Sequence, residues 1–165
     1  MKDLIIVSGA PGSGKSTVCK LLQEKLFSPY IDFGWMREWH LLPDWSNQNP
    51  KEEEMAFENL VFVLKNYLSH GYKNVLVTDL KDERVGKLVD IFSKNETIVV
   101  SLVLNDDEEL KRRVTGERDS GFKDFEAAIA WNTLIKERSN YKDEFKIDNT
   151  EPDTRKVIDK ILALL

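Results

Sequence analysis

Short apolar runs alternate with amphipathic helical stretches along this chain. Leu4-Ile5-Ile6-Val7 is a continuous apolar run that ends at a glycine-rich turn, the pattern of a buried strand. Val18, Leu21, Leu22 and Leu26 then recur at helical spacing, which predicts a helix over about 15–26. Tyr30 to Phe33 is a candidate second strand. Residues 51–69 carry a long helical pattern with Glu52, Glu53 and Glu54 at its start and Gly71 beyond its end, as the helix dipole and C-cap geometry favour. Val75-Leu76-Val77 reads as a third strand. Val85, Leu88, Val89 and Phe92, at i, i+3, i+4 and i+7, make the next helix face. Ile98–Leu104 is the strongest strand pattern. Asn105 ahead of Asp106, Asp107 and Glu108 resembles a cap and an acidic first turn, opening a charged helical stretch over roughly 106–141. Phe145–Ile147 makes a short last strand, and Pro152 precedes the helical positions Val157, Ile158, Ile161, Leu162 and Leu165.

This alternation predicts an α/β fold: a mainly parallel five-stranded sheet with helices on both faces, a three-layer α/β/α sandwich. Ligands in such sheets bind at the carboxyl ends of the strands, so the site residues are expected there. The 165 residues suit one domain, 1–165. With 24 Lys+Arg against 29 Asp+Glu the net charge is −5, which argues against a broad phosphate-backbone groove; no nucleic-acid partner is expected. The longest apolar runs, Leu60–Leu64 and Ile161–Leu165, fall far short of the ~20 residues that span a bilayer. With no signal-peptide pattern at the start, a cytoplasmic protein without a membrane partner is expected. The single cysteine, Cys19, excludes an intramolecular disulfide and a multi-cysteine metal cage, and reads as a packing residue.

Gly9-Ala10-Pro11-Gly12-Ser13-Gly14-Lys15-Ser16-Thr17 satisfies G-x-x-x-x-G-K-[ST], with a strand before it and an amphipathic helix after. Gly9, Gly12 and Gly14 permit backbone angles and close approach that a Cβ would block. The successive N–H groups, through Ser13, Ser16 and Thr17, then form an anion nest backed by a helix N-terminus. Lys15 is placed to reach β- and γ-phosphates, and the Ser16 hydroxyl to complete a Mg²⁺ shell. A polyphosphate with Mg²⁺ is therefore the expected ligand of this loop. A GTPase would carry Asn-Lys-x-Asp and a transport ATPase Leu-Ser-Gly-Gly; the chain has neither. Its third strand ends Val77-Thr78-Asp79-Leu80, without the glutamate that polarises water in mechanochemical ATPases. Transfer to a small acceptor fits better.

The chain resembles the small P-loop kinases, the superfamily of shikimate, gluconate and nucleotide kinases and the antibiotic phosphotransferases. The resemblance rests on the loop at 9–17, on Leu68–Asp79 as the helix, glycine and third strand, on Leu104–Arg113 as the fourth strand and the helix into a lid, and on Phe145–Thr150 as the last strand and adenine loop. It implies phosphotransfer from ATP to a hydroxyl of a small molecule (a nucleoside, sugar or similar alcohol), an acceptor-binding insert at about 34–60 and a lid at about 112–125. It implies that Asp32 takes the acceptor's proton, although a turn aspartate capping the next helix explains it too. Arg37 stands where several members place a substrate-facing arginine, or is a surface arginine. Asp79 would hold Mg²⁺ through water or orient the acceptor. Arg113 matches the arginine of a Leu-x-x-Arg pattern, and Arg118 the lid arginine that balances charge on the transferring phosphoryl group. The family spacing is off by one here, so Arg112 competes for these roles, and Arg112 and Arg113 also suit i, i+4 pairs with Glu108 and Glu109. Trp35, Trp39 and Trp45 crowd the insert, and Trp35 is a candidate acceptor contact, or part of a small local core. A nucleotide-responsive binding module and a polynucleotide 5′-hydroxyl kinase are the rival functions.

Overall fold

The computed structural model describes residues 1–116, 122–151 and 153–165. Five strands, β1 (Leu4–Gly9), β2 (Tyr30–Asp32), β3 (Val75–Thr78), β4 (Thr97–Val103) and β5 (Glu144–Asp148), form one sheet in the order β2-β3-β1-β4-β5. Every pairing is parallel. β1, β3 and most of β4 are buried on both faces, which is why they read as unbroken apolar runs.

The connections are α1 (Lys15–Leu26), α2 (Phe33–Glu38), α3 (Pro50–Ser69), α4 (Asp82–Ile91), α5 (Asp107–Thr115), α6 (Phe125–Glu137) and α7 (Thr154–Leu162). Leu22 of α1 and Ile158 and Ile161 of α7 pack with Ile5, Val7 and Leu102 on one face of the sheet. Phe57, Leu60 and Leu64 of α3 and Val85 and Leu88 of α4 pack with Leu4, Ile6 and Val77 on the other. These two clusters make the three layers. A smaller cluster, Leu104, Leu110, Val114 and Ala128, holds α5 and α6 together.

Three boundaries differ from the sequence reading. Phe33 starts α2 instead of ending β2, because the Asp32 side chain caps the helix by accepting from Gly34 N–H. Asp106, not Asn105, caps α5 and accepts from the N–H groups of Glu108 and Glu109; the Asn105 side chain donates instead to Asp148. The stretch 106–141 is two helices: α5 closes on Gly116, whose backbone is extended, and α6 starts afresh with Asp124 as its cap. Among the described residues no helix is long and apolar enough to cross a membrane.

The register fixes what meets at the carboxyl edge. Val7 of β1 and Asp32 of β2 both align with Thr78 of β3. The chain leaves β1, β2 and β3 side by side there, which brings together the loop after Gly9, Asp32 and Asp79.

Candidate nucleotide and phosphoryl-transfer site

The loop after β1 has its glycines where positive φ is required: 147° at Gly9, 89° at Gly12 and 93° at Gly14. A Cβ on Gly9 would sit 2.4 Å from Ser13 Oγ and 2.7 Å from the Leu102 carbonyl. Gly14 is the N-cap of α1 and offers no side-chain cap, so main-chain donors are left to a ligand. Lys15 Nζ folds over the loop and donates to the carbonyls of Gly9 (2.9 Å) and Ala10 (3.1 Å). Ser13 Oγ is buried with no hydrogen-bond partner among the described residues. Ser16 and Thr17 are exposed on the first turn of α1. Uncapped helix amides, a glycine loop closed to side chains and an ammonium group fit a polyphosphate. The oxygen donors Ser16 and Asp79, at this edge of the sheet, are of the chemistry a Mg²⁺ ion takes.

Asp32 is half-buried, with a donor on each oxygen: Gly34 N–H on Oδ1 (3.0 Å) and Tyr30 O–H on Oδ2 (3.3 Å). Burial, and then the neighbouring Asp79 carboxylate, raise its pKa above the usual aspartate value; Gly34 N–H, Tyr30 and Lys15 pull the other way. Asp79 sits just past β3 with φ 66°, in the left-handed region. A Cβ on Gly34 would lie 2.8 Å from Asp79 Oδ2 and 3.1 Å from Asp32 Oδ1. The two carboxylates therefore converge on a residue with no side chain.

Arg37 leaves α2 and grips Glu52 of α3 with two donors, Nε at 3.0 Å and Nη2 at 2.6 Å, and its guanidinium lies 4.9 Å from the Trp45 ring centroid. His40 Nε2 is 2.8 Å from the same carboxylate. Arg37 is thus a tie between α2 and α3 rather than an exposed surface arginine, and it still lines a cleft of about 610 Å³ with Lys81, Arg84, Lys87, Glu53 and Glu54. Lys81 and Arg84 are themselves paired with Glu53 (2.9 Å) and Glu54 (2.7 Å). Trp35 is about half-exposed and packs on Tyr30, ring centroids 5.1 Å apart. Trp39 is exposed.

A second cleft, about 360 Å³, opens between the glycine loop, α5 and the loop after β5; Gly12, Gly14, Thr17, Arg112, Arg113 and Asn149 line it. Arg113 donates Nε to Glu109 Oε1 (2.6 Å), Nη1 to the Asn149 carbonyl (2.9 Å) and Nη2 to the Thr150 carbonyl (2.7 Å). Arg112 is mostly exposed and pairs with the same Glu109, at i, i+3. The expected Arg113–Glu109 pair is present, and Arg112 takes Glu109 instead of Glu108. Arg118 lies outside the described residues.

Sequence reasoning did not single out Asn149, Tyr30 or Glu52. Asn149 is buried and its Nδ2 donates to the Ser13 carbonyl at 2.7 Å. Lys81, Arg84 and Lys87 were also passed over, although Lys81 stands at the N-cap of α4 and Arg84 and Lys87, at i and i+3 on it, were a usable sign of a shared face.

A glycine loop of this pattern at the carboxyl edge of a parallel sheet defines a P-loop protein. The chain belongs to the family described as an AAA domain, whose model matches residues 5–130. It is 24% identical over 163 residues to a protein named "Putative adenylate kinase" from Pyrococcus abyssi, covering 98% of this chain and 83% of that one. Its fold is shared by solved structures. A sugar kinase from Janibacter sp. superposes with TM-score 0.71 at 14% identity, over 99% of this chain and 94% of that one. A gluconokinase from Sinorhizobium meliloti 1021 superposes with TM-score 0.69 at 17% identity, over 97% and 89%.

Proposed function

We propose that this protein moves the γ-phosphoryl group of ATP to a hydroxyl of a small molecule, with Mg²⁺. The observation that carries this reading is the convergence of Asp32 and Asp79 on Gly34, at the strand edge that holds the glycine loop. The amides of Gly12–Thr17 and Lys15 would hold the phosphates, and Ser16 and Asp79 the metal ion. Bound there, ATP supplies the phosphoryl group and Mg²⁺ neutralises its charge. Asp32 accepts the acceptor's hydroxyl proton as the new O–P bond forms, and ADP leaves with the electron pair of the broken bond. Its raised pKa keeps it nearer the range of a useful base. A lid over 112–125, carrying Arg113 and Arg118, would bring charge to the reacting group, and the insert at 34–60, with Trp35, would receive the acceptor.

A nucleoside monophosphate acceptor is the second reading. It is favoured by the name of the Pyrococcus relative and by Arg37, Lys81, Arg84 and Lys87 around one cleft. Coupled ADP release separates the readings, measured with nucleosides, sugars, sugar acids, aminoglycoside-like alcohols and adenosine monophosphate. A hydroxyl acceptor should raise the rate well above the level with ATP alone. Stimulation by the monophosphate alone would transfer the assignment to the second reading. No stimulation by any acceptor would leave a nucleotide-binding module.

A further inference from the structure

Asn149 stands at a junction of three elements. Its main-chain N–H donates to the Val103 carbonyl at the end of β4 (2.8 Å). Its own carbonyl accepts from Arg113 of α5. Its side-chain Nδ2 crosses to the glycine loop and donates to the Ser13 carbonyl at 2.7 Å, between residues 136 apart in sequence. The contact is close enough that a Cβ on Gly14 would stand 2.6 Å from that nitrogen. The side chain is buried, so the bond is not shared with bulk water.

The Ser13 carbonyl and the Gly14 N–H belong to one planar trans peptide and point in opposite directions. Whatever fixes the carbonyl therefore fixes the amide. Gly14, at φ 93°, has a wide conformational range of its own and cannot set this direction by itself. We propose that Asn149 is a positioning residue for the phosphate loop, turning the Gly14 N–H toward the bound polyphosphate by holding the Ser13 carbonyl. The same residue lines the 360 Å³ cleft beside Arg113, so the loop after β5 and the glycine loop are set as one unit. This rests on the loop being a polyphosphate site and not on the identity of the acceptor.

The test is calorimetric titration of wild type and Asn149→Leu, close in size but without a donor, with two probes in the presence of Mg²⁺: ATP and inorganic tripolyphosphate, which has no base. Leaving the buried Ser13 carbonyl unpaired should weaken both probes alike, by about tenfold. An unchanged affinity for tripolyphosphate would overturn the proposal, whether or not ATP binding falls, because Asn149 would then act on the base or on nothing. If the Leu variant does not fold, Asn149→Ala, followed by thermal melting, serves the same comparison. If wild type binds neither probe, the phosphate-site reading itself fails, and that outcome is distinguishable from the first.

Discussion

Arg37 and Glu52 meet as a two-pronged ion pair, Nε to Oε1 at 3.0 Å and Nη2 to Oε2 at 2.6 Å, with both side chains largely hidden from water. The pair locks the short helix α2, which begins at the Asp32 cap, onto the long helix α3. It fixes the wall of the cleft from which an acceptor would approach.

That pair has a pH signature. Hydrogen bonding by Arg37, and then by His40, outweighs burial and brings the Glu52 carboxyl down to about 2. A carboxyl whose folded pKa is depressed stabilises the fold fully above its unfolded value, about 4.3, and the stabilisation is lost as pH falls from there toward 2. Glu52→Gln should destabilise by about 1–3 kcal/mol at pH 7. Its melting temperature should also fall less steeply than that of wild type between pH 5 and pH 3, measured by thermal denaturation across that range. Parallel curves would show that the pair adds nothing.

A deeper ion-paired triad supports the far edge of the sheet, at β5. Arg138 bridges Asp82 of α4 (2.8 Å) and Glu144 of β5 (2.7 Å), and the Glu144 side chain is fully buried. Tyr141 O–H donates to the Asp82 carboxylate (3.0 Å), and Ser101 O–H donates to Glu144. Arg138→Ala strands a buried carboxylate and should destabilise by about 3–5 kcal/mol in denaturant unfolding. A loss under 1 kcal/mol would mean that Glu144 finds a proton or water instead.

Gly34 tests the carboxylate junction. Its φ is not in the left-handed region, so an added methyl group is opposed by space alone: by Asp79 Oδ2 at 2.8 Å and Asp32 Oδ1 at 3.1 Å. Gly34→Ala should push the carboxylates apart and reduce turnover by about 10–100-fold. ATP affinity should stay close to wild type, because the glycine loop is untouched. Steady-state kinetics beside nucleotide titration checks both halves, and an equal loss in both would place Gly34 in the nucleotide site.

What the sequence made legible was local. Gly9–Thr17 is a contiguous motif, so its conformation and its place between β1 and α1 could be read from nine neighbouring residues. The strands β1, β3 and β4 announced themselves because both of their faces are covered. The boundaries that went astray were decided by one side chain each: Asp32 capping α2, and Asp106 rather than Asn105 capping α5. The division of 106–141 was hidden because charged residues continue the helical pattern through the break. Arg37 with Glu52, and Asn149 with Ser13, could not be found by spacing at all, since those pairs exist only once α2 lies on α3 and the loop after β5 meets the glycine loop.

Asp32→Asn, assayed with a hydroxyl acceptor identified by coupled ADP release, tests the central claim most directly. The substitution keeps the size of the side chain and its capping oxygen while removing the base. The acceptor-dependent rate should fall by about 10²–10⁴ with the dissociation constant for ATP unchanged. A variant that transfers phosphoryl groups at the wild-type rate would contradict the assignment of Asp32 as the proton acceptor and, with it, the hydroxyl-kinase reading built on the two carboxylates.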